Sequence, residues 1–342
     1  MTGIRLESVP RNTVLVGDAL TQLRRLPAAS VDCVVTSPPY HLLRHYGGGP
    51  QEIGTEGTVT EYVERLVEVT DELARVLKPS GCLWLNLGDS YSRHRRYGAP
   101  PKSLLLAPER LLLALSERGW IVRNKVVWAK TTTMPASVKD RLACTWEPVY
   151  FLVRSRHYHF DLDVIRQPHR SRRRPARSAA RTKYTGGRRA GWAGPLAGAN
   201  DGLLRLRLRG LSGHELGKNP GDVWRLGTAG FDGAHFAVFP SSLVHDPIAA
   251  TCPERVCGSC GNPWRREPRR DRLGELVPDC TCRVGWRPGL VLDPFLGSGT
   301  TALVAERMSR DWLGIELNPA YAELARRRID SDRDQASPSA AA

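Results

Sequence analysis

Short apolar runs alternate with segments of helical spacing along the first half of the chain. Residues 13–18 (TVLVGD) and 30–35 (SVDCVV) have the length and apolar content of buried strands. Residues 60–77 place their apolar side chains on one helical face. Thr60 is the expected cap of this helix, and the breaker KPSG is its expected end. This pattern predicts strand, helix, strand and helix in succession.

The alternation continues to about residue 155 and returns after residue 289. CLWLNLGD (82–89) is a predicted strand, and residues 107–119 form a predicted helix with Pro near its start and Gly at its end. Two further strands are predicted at 120–130 and 146–155. Strands that alternate with helices predict an α/β fold with a doubly wound, mostly parallel sheet.

A basic stretch breaks this pattern. From Arg154 to Arg209 there are fifteen basic residues and three acids, and the middle of the stretch (168–200) has little periodicity. We expect a basic insertion that is partly disordered. It carries most of the excess behind a net charge of +15 and a pI near 9.9, which favours a polyanionic partner. A solvated basic surface, or arginine-rich usage in the host, is the alternative explanation.

Five of the eight cysteines lie within residues 252–282. The chain has no apolar run of membrane-spanning length and no signal-peptide pattern, so we expect a cytoplasmic protein without a disulfide framework. A CxxC and a CxC nineteen residues later suit tetrahedral Zn²⁺ in a small ribbon, and Cys252 is a spare ligand. Reduced thiols in a loop are the alternative. The four predicted metal ligands are Cys257, Cys260, Cys280 and Cys282.

The three isolated cysteines lie in or beside apolar strands. Cys33 and Cys82 are inside predicted strands, and Cys144 precedes one. Because free cysteine is among the residues most often buried, we expect all three in the core rather than as nucleophiles.

Residues 290–300 (LVLDPFLGSGT) join an apolar strand to a glycine turn and a helix. Glu316 ends the next apolar run, nineteen residues after Gly297. Such a unit holds a nucleoside, since glycines permit close approach and the acid accepts hydrogen bonds from ribose hydroxyls. Neither GxGxxG nor GK[ST] is present, and Asp293 before the turn would repel a pyrophosphate. Asp293 suits a ligand with a positive end, such as the amino group or sulfonium of S-adenosylmethionine; an ordinary tight turn is the alternative.

TSPPY (36–40) together with DPFLGSGTT (293–301) and GIELNPAYAELARRRI (314–329) resembles the amino-group DNA methyltransferases. Members of that family methylate N4 of cytosine or N6 of adenine with S-adenosylmethionine. The catalytic motif precedes the cofactor loop here and a basic region lies between them, which is the order of the permuted beta class. The resemblance implies a circularly permuted methyltransferase fold that acts on duplex DNA.

The TSPPY turn suits chemistry on an exocyclic amine. Such an amine is a weak nucleophile, so catalysis requires hydrogen-bond acceptors that position its N–H groups. The Ser37 hydroxyl and the Pro38 carbonyl are the candidate acceptors, while Pro38 and Pro39 fix the turn without N–H donors. Tyr40 is expected to stack on a flipped base. A plain strand-ending turn is the alternative.

The identity of residue 37 bears on the target base. Within the resembled family a serine at this position is typical of cytosine-N4 enzymes, whereas adenine enzymes usually carry Asp or Asn. We therefore expect N4-cytosine methylation, with adenine-N6 methylation as the alternative. C5 methylation is not expected, because it requires a cysteine nucleophile, which the C5 family presents in a Pro-Cys pair, and this chain contains no Pro-Cys dipeptide. A non-enzymatic nucleic-acid-binding module remains a remote alternative from another class.

The resemblance implies further site residues. Asp18 matches an acid near the cofactor's adenine, or else only forms a turn. Phe295 matches an aromatic beside the cofactor, or packs in the core. Asp89 is a further candidate for a residue close to the flipped base. The remaining implied cofactor residues are His235, Phe239, Ser242, Ser298, Gly299, Thr300 and Asn318. The implied nucleic-acid contacts are Arg170, Arg172, Arg173, Arg174, Arg177, Lys183, Arg188 and Arg189.

The predicted organisation follows from these segments. Duplex DNA is the expected partner, a cognate restriction endonuclease is a candidate partner, no membrane is expected, and monomer and homodimer both stay open. The predicted segments are a catalytic half (1–160), a target-recognition region (161–215), a cofactor-lining return (216–251), a Cys-rich zinc insertion (252–284), a cofactor half (285–330) and a disordered tail (331–342).

Overall fold

A computed structural model describes residues 8–133, 136–169, 214–228, 239–269 and 271–336. The chain divides into two compact units. The first comprises Met1–Asp161, Gly221–Arg265 and Leu276–Ala342, and the second comprises Leu162–Pro220 and Arg266–Glu275. This division differs from the predicted segments, because ten residues inside the Cys-rich insertion group with the second unit.

Eight strands of the first unit form one sheet, in the order β1-β12-β11-β2-β3-β5-β4-β6. Two short ladders, β10-β7 and β8-β9, lie outside it. The strands are β1 (Thr13–Val16), β2 (Val31–Thr36), β3 (Leu77–Asn86), β4 (Ile121–Lys130), β5 (Trp146–Val153), β6 (Val223–Leu226), β7 (Val256–Cys257), β8 (Arg265–Arg266), β9 (Leu276–Val277), β10 (Trp286–Arg287), β11 (Leu290–Asp293) and β12 (Asp311–Glu316).

The sheet is mixed but mostly parallel, as predicted. Strands β1, β12, β11, β2 and β3 run parallel to one another, and Cys33 of β2 pairs with Val291 of β11. Strand β5 is antiparallel to both β3 and β4. Because parallel strands share a carboxyl edge, the residues that follow β1, β2, β11 and β12 meet at one end of the sheet.

Helices cover both faces of this sheet in the part of the chain that the structure describes. One buried cluster joins the first three helices to the sheet through residues such as Tyr62 and Leu111, and a second joins the last three through residues such as Ile248 and Ala325. The helices are α1 (Ala19–Arg25), α2 (Val59–Val76), α3 (Ala107–Glu117), α4 (Ser241–Thr251), α5 (Thr300–Arg307) and α6 (Pro319–Ala336). This is the predicted doubly wound layering.

Two predicted element boundaries were wrong. Thr58, not Thr60, caps α2, because its side chain accepts from the Glu61 N–H while the Glu61 carboxylate accepts from the Thr58 N–H. Helix α6 extends to Ala336, so the first six residues of the predicted disordered tail are helical. The other six lie outside the described residues.

The described helices include none with the length and apolar character needed to cross a membrane.

Candidate active site

A cavity of about 550 Å³ opens at the carboxyl edge of the parallel strands. Both predicted motifs line it, since β2 and β11 are adjacent and each ends at the cavity. Predicted site residues on its wall are Asp18, Ser37, Pro38, Pro39, Tyr40, Phe239, Phe295, Gly297, Ser298, Thr300 and Glu316.

A hydrogen bond and close packing hold the TSPPY turn in position. The Tyr62 hydroxyl donates to the Pro39 carbonyl at 2.7 Å, which ties the turn to α2. The Tyr40 ring lies against the backbone of Gly88, where an added Cβ would come within 2.4 Å of a ring carbon. Gly88 is therefore needed for the position of Tyr40.

A polar network continues from the turn into the antiparallel strands. The Ser37 and Tyr40 hydroxyls lie 3.3 and 3.1 Å from Asn86 Oδ1, and the Tyr40 hydroxyl donates to Glu147 Oε2 at 2.7 Å. Lys130 forms a salt bridge with the other oxygen of Glu147. Burial raises the pKa of Tyr40 well above its usual value, and the Glu147 charge adds to this, so the phenol remains protonated.

The glycine turn has two residues in backbone conformations that favour glycine. Gly297 and Gly299 have φ of +53° and +84°, in the left-handed region that favours glycine. The Glu316 carboxylate accepts from the backbone N–H of Gly297 at 2.8 Å and of Asn318 at 2.9 Å. Burial raises the pKa of Glu316. The acid predicted to meet a ribose thus also holds the loop in place.

Asp293 lies behind the loop rather than on the cavity wall. Its side chain is 1% exposed and accepts hydrogen bonds from Thr36 Oγ1 (2.6 Å), Thr301 Oγ1 (2.7 Å) and the Phe295 N–H (3.1 Å). Burial raises the pKa of Asp293 to about 6. The expectation that Asp293 faces the positive end of a ligand does not fit this placement, since its oxygens are occupied by the chain itself.

Three implied cofactor residues on the cavity wall also hold neighbouring elements. Asp18 caps α1, accepting from the Thr21 N–H at 2.8 Å. Ser298 and Thr300 both accept hydrogen bonds from Arg328, which joins the loop to α6.

Besides Asp293, three implied residues within the described part of the chain are not on the cavity wall: Gly299, Asn318 and Ser242. Asn318 donates to the Tyr46 carbonyl at 2.9 Å, and Ser242 is exposed on α4. His235 and all eight implied nucleic-acid contacts lie outside the described residues.

Sequence reasoning missed Glu147, Lys130 and Asn86 as individual site residues. The segments that contain Asn86 and Lys130 match the catalytic half of the resembled family, but nothing there ranks one side chain above another. A signal for Glu147 was present, because a carboxylate at the start of the apolar run VYFLV needs a partner when that run is buried. Asp89, in contrast, is not on the cavity wall; it accepts from the Leu106 and Ala107 N–H groups and so holds the start of α3.

The four predicted zinc ligands come together. The sulfurs of Cys257, Cys260, Cys280 and Cys282 all lie within 4.8 Å of one another. Zn–S bonds of about 2.3 Å in a tetrahedron would separate the sulfurs by about 3.8 Å, so the arrangement fits a zinc ion. Backbone N–H groups of Cys260 and Ser259 lower the pKa of Cys257 to about 6, which favours the thiolate that metals bind.

The remaining cysteines correct two expectations. Cys252 is fully buried in the core at the end of α4 and is not part of the sulfur cluster, so it is not a spare ligand. Cys144 is exposed beside the cavity instead of buried. Cys33 and Cys82 are buried in the sheet as predicted.

A buried salt bridge connects the sulfur cluster to the sheet. Lys78 Nζ lies 2.6 Å from Asp32 Oδ1 and donates to the Gly261 carbonyl, beside Cys260, at 3.1 Å. The other Asp32 oxygen accepts from the Leu290 N–H at 2.9 Å. The cluster segment therefore contacts Lys78 at the start of β3 and, through it, is linked to the amino ends of β2 and β11, at the opposite end of these strands from the cavity.

Comparison with solved structures supports the fold. A PvuII DNA methyltransferase described as cytosine-N4-specific superposes with a TM-score of 0.56 at 19% identity, covering 96% of this chain and 93% of that one. A putative DNA modification methylase from Thermus thermophilus, solved with S-adenosyl-L-methionine, superposes with a TM-score of 0.51 at 22% identity, covering 94% and 95%. At these identities the likeness is one of fold.

Comparison with known sequences shows the family. The type II methyltransferase M.Cfr9I of Citrobacter freundii is 34% identical over 94% of this chain and 88% of its own length. M.XycI of Xanthomonas campestris pv. cyanopsidis is 35% identical over 93% and 87%. Residues 31–327 match the family model for N6/N4 methyltransferases, described as DNA methylase. The chain therefore belongs to the N4/N6 amino-methyltransferase family of DNA methylases.

Proposed function

We propose that this protein transfers a methyl group from S-adenosylmethionine to the exocyclic N4 of a flipped cytosine in duplex DNA. The observation that carries the proposal is the shared cavity, in which the Ser37 turn and the Glu316 loop face each other from adjacent parallel strands. Its volume of about 550 Å³ suits a small-molecule cofactor together with part of a base.

The residues on one side of the cavity fit S-adenosylmethionine. Gly297 permits close approach to the loop, Glu316 can accept from ribose hydroxyls, and Phe295 offers an apolar face. Asp18 is positioned to meet the nucleoside end. Asp293 acts here as the support of the loop. The methylase from Thermus thermophilus, solved with the same cofactor, shares this fold and supports the assignment.

When bound, S-adenosylmethionine would supply an electrophilic methyl carbon; transfer would exchange its bond to sulfur for a bond to the base nitrogen, and the amine would lose one proton to solvent. The contribution of the chain is to position the amine. The Ser37 hydroxyl and the Pro38 carbonyl accept its N–H groups and so help the nitrogen lone pair to face the methyl carbon. The Tyr62 hydrogen bond to Pro39 keeps this turn rigid.

Two observations favour cytosine N4 over adenine N6. Serine stands at position 37, and a structural neighbour is described as cytosine-N4-specific. Adenine N6 is the second candidate, because the family includes both targets. The type II relatives further suggest that the chain works beside a cognate restriction endonuclease.

The order of elements supports the permuted architecture and the segment roles. Strand β2, which carries the catalytic turn, precedes β11 in the chain by more than 250 residues yet pairs with it directly. We infer that residues 161–215, which lie between the two halves and contain the implied arginine contacts, recognise the DNA target. We also propose that the four clustered cysteines hold a structural Zn²⁺, since the reaction itself needs no metal.

The direct test is product analysis. Purified protein is incubated with mixed-sequence duplex DNA and S-adenosylmethionine, and nucleosides are resolved by chromatography with mass spectrometry. We expect N4-methylcytosine from the wild type and little N4-methylcytosine from Ser37→Ala. The control is Ser116→Ala, which changes an exposed serine on α3 and should give the wild-type product. N6-methyladenine would overturn the assignment of the base. Methylation of the amine by Ser37→Ala at the wild-type rate would overturn the role of Ser37.

A further inference from the structure

The amide of Asn86 has one orientation that its surroundings allow. Asn86 is 4% exposed, and its Nδ2 lies 3.1 Å from the Pro148 carbonyl and 3.3 Å from Glu147 Oε2. Both neighbours are acceptors, so only an NH₂ group can face them. Oδ1 must then face the TSPPY turn, where it can accept hydrogen bonds and cannot donate them.

Two hydroxyl groups compete for Asn86 Oδ1. Tyr40 lies 3.1 Å away and Ser37 lies 3.3 Å away. The Tyr40 hydroxyl has a shorter contact with Glu147, at 2.7 Å, and bonds to a carboxylate are the stronger ones. Lys130 forms a salt bridge with the other oxygen of that carboxylate. The single Tyr40 proton therefore goes to Glu147. Ser37, which is also hydrogen-bonded to Tyr40, can then donate its proton to Asn86 Oδ1.

We infer that Asn86 is a positioning residue that draws the Ser37 proton away from the cavity, so that Ser37 Oγ offers only lone pairs to the substrate. An exocyclic amine donates to such an oxygen, whereas a carbonyl oxygen at the same place meets no donor from Ser37. This would bias the site toward the amine-bearing edge of a base. The inference rests on the proposed amine methylation.

A double-mutant cycle tests this dependence of Asn86 on Ser37. The variants are Asn86→Ala, Ser37→Ala and the double mutant, and single-turnover methyl transfer to DNA is measured with each. In the wild-type background Asn86→Ala should slow transfer by about 100-fold, the cost of misplacing a reacting group by about 1 Å. In the Ser37→Ala background the same change should slow transfer less than about twofold, because no proton remains to be directed.

Three controls keep the cycle interpretable. Calorimetric affinity for S-adenosylmethionine and the thermal unfolding midpoint identify any variant that fails to fold, and Asn86→Ser is then used in place of Asn86→Ala. Asn124→Ala, on the exposed part of β4, should leave the rate unchanged. Equal slowing in both backgrounds would overturn the inference while the amine methylation stands. A wild type that binds the cofactor but methylates no base amine would remove both.

Discussion

Thr36 Oγ1 donates a 2.6 Å hydrogen bond to Asp293 Oδ1, and this bond joins the end of β2 to the end of β11. Both side chains are buried, at 2% and 1% exposure. The first residue of the TSPPY turn and the acid that precedes the glycine turn are therefore fixed to each other. A change at either position should affect the geometry of both halves of the site.

Replacing Thr36 with valine should destabilise the protein by about 1–3 kcal/mol, because Asp293 would lose a buried donor while the side-chain volume stays the same. We also expect weaker cofactor binding, since Asp293 supports the loop at Phe295. Urea unfolding and calorimetry measure the two effects. Thr60→Val, at an exposed position of α2, is the matched control and should change the free energy of unfolding by less than about 0.5 kcal/mol. Equal effects of the two changes would contradict the role of Thr36.

Asp293 should also give a signature in the pH dependence of stability. Its pKa is about 6 when folded, above the usual value near 3.9 of an unfolded chain. Since the folded state binds the proton more tightly, this group lowers stability as pH rises from about 4 to 6. The full cost of about 3 kcal/mol is present above pH 6 and is absent below pH 4.

The comparison with Asp293→Asn isolates this effect, because asparagine does not titrate. The difference in unfolding free energy, wild type minus variant, should increase by about 2 kcal/mol between pH 7 and pH 4, because an unfolded carboxyl is still about half ionised at pH 4; urea unfolding across that range measures it. A difference that is constant with pH would show that the carboxylate ionises equally in both states.

Glu316→Gln should weaken S-adenosylmethionine binding by about tenfold, since an amide retains one acceptor where two oxygens now hold Gly297, Asn318 and the proposed ribose contacts. Calorimetry measures the change in Kd. The control is Glu323→Gln, on the exposed side of α6, which should bind like the wild type. An unchanged Kd for Glu316→Gln would remove Glu316 from the proposed cofactor site.

The sulfur cluster should contain one zinc ion per chain, measured by elemental analysis of protein purified without added metal. Cys260→Ser should lose the metal and lower the unfolding midpoint, because the cluster meets the sheet through Gly261 and Lys78. Cys144→Ser, at an exposed cysteine outside the cluster, should retain both. Wild-type protein that folds normally with no bound metal would contradict the proposal.

DNA affinity should depend steeply on salt if the basic region meets phosphates. Replacing Arg172, Arg173 and Arg174 together with glutamine should reduce the slope of log K against log salt by about 0.9 for each phosphate that the variant no longer neutralises. Fluorescence anisotropy across a salt series measures the slope. Arg118→Gln, on the exposed end of α3, provides a control with an unchanged slope. A triple variant with the wild-type slope would place the DNA contacts elsewhere.

Much of the fold could be predicted because the apolar periodicity of each element is local. Strand β2 is a short, mostly apolar run that is buried throughout, and helix α2 is amphipathic. The type of each element therefore follows from residues that are close in sequence. The cap of α2 was misplaced by two positions because Thr58 and Thr60 are both suitable residue types. Only the backbone conformation and the reciprocal bond with Glu61 distinguish them.

The candidate site was predictable where a motif fixes the backbone, and not where a contact crosses the sheet. Gly297 and Glu316 lie in one strand–turn–helix–strand unit, so their spacing carries the prediction. Glu147 reaches the site from an antiparallel strand more than 100 residues after Tyr40. We expected Asp293 to face the ligand because it stands next to the glycine turn in the sequence. The sequence does not show that the side chains of Thr36 and Thr301 both bind its carboxylate.

The pairing of β2 with β11 constrains the order in which the protein can be made. Cys33 meets Val291, 258 residues later, so the inner edge of β2 has no partner until synthesis has passed the cofactor loop. At about 5–20 residues per second this interval lasts roughly 13–50 s. During that time the growing chain carries the catalytic turn without the loop proposed to hold the methyl donor. The enzyme should therefore gain activity in a single late step, and the exposed edge of β2 is a place where a nascent chain needs protection from aggregation.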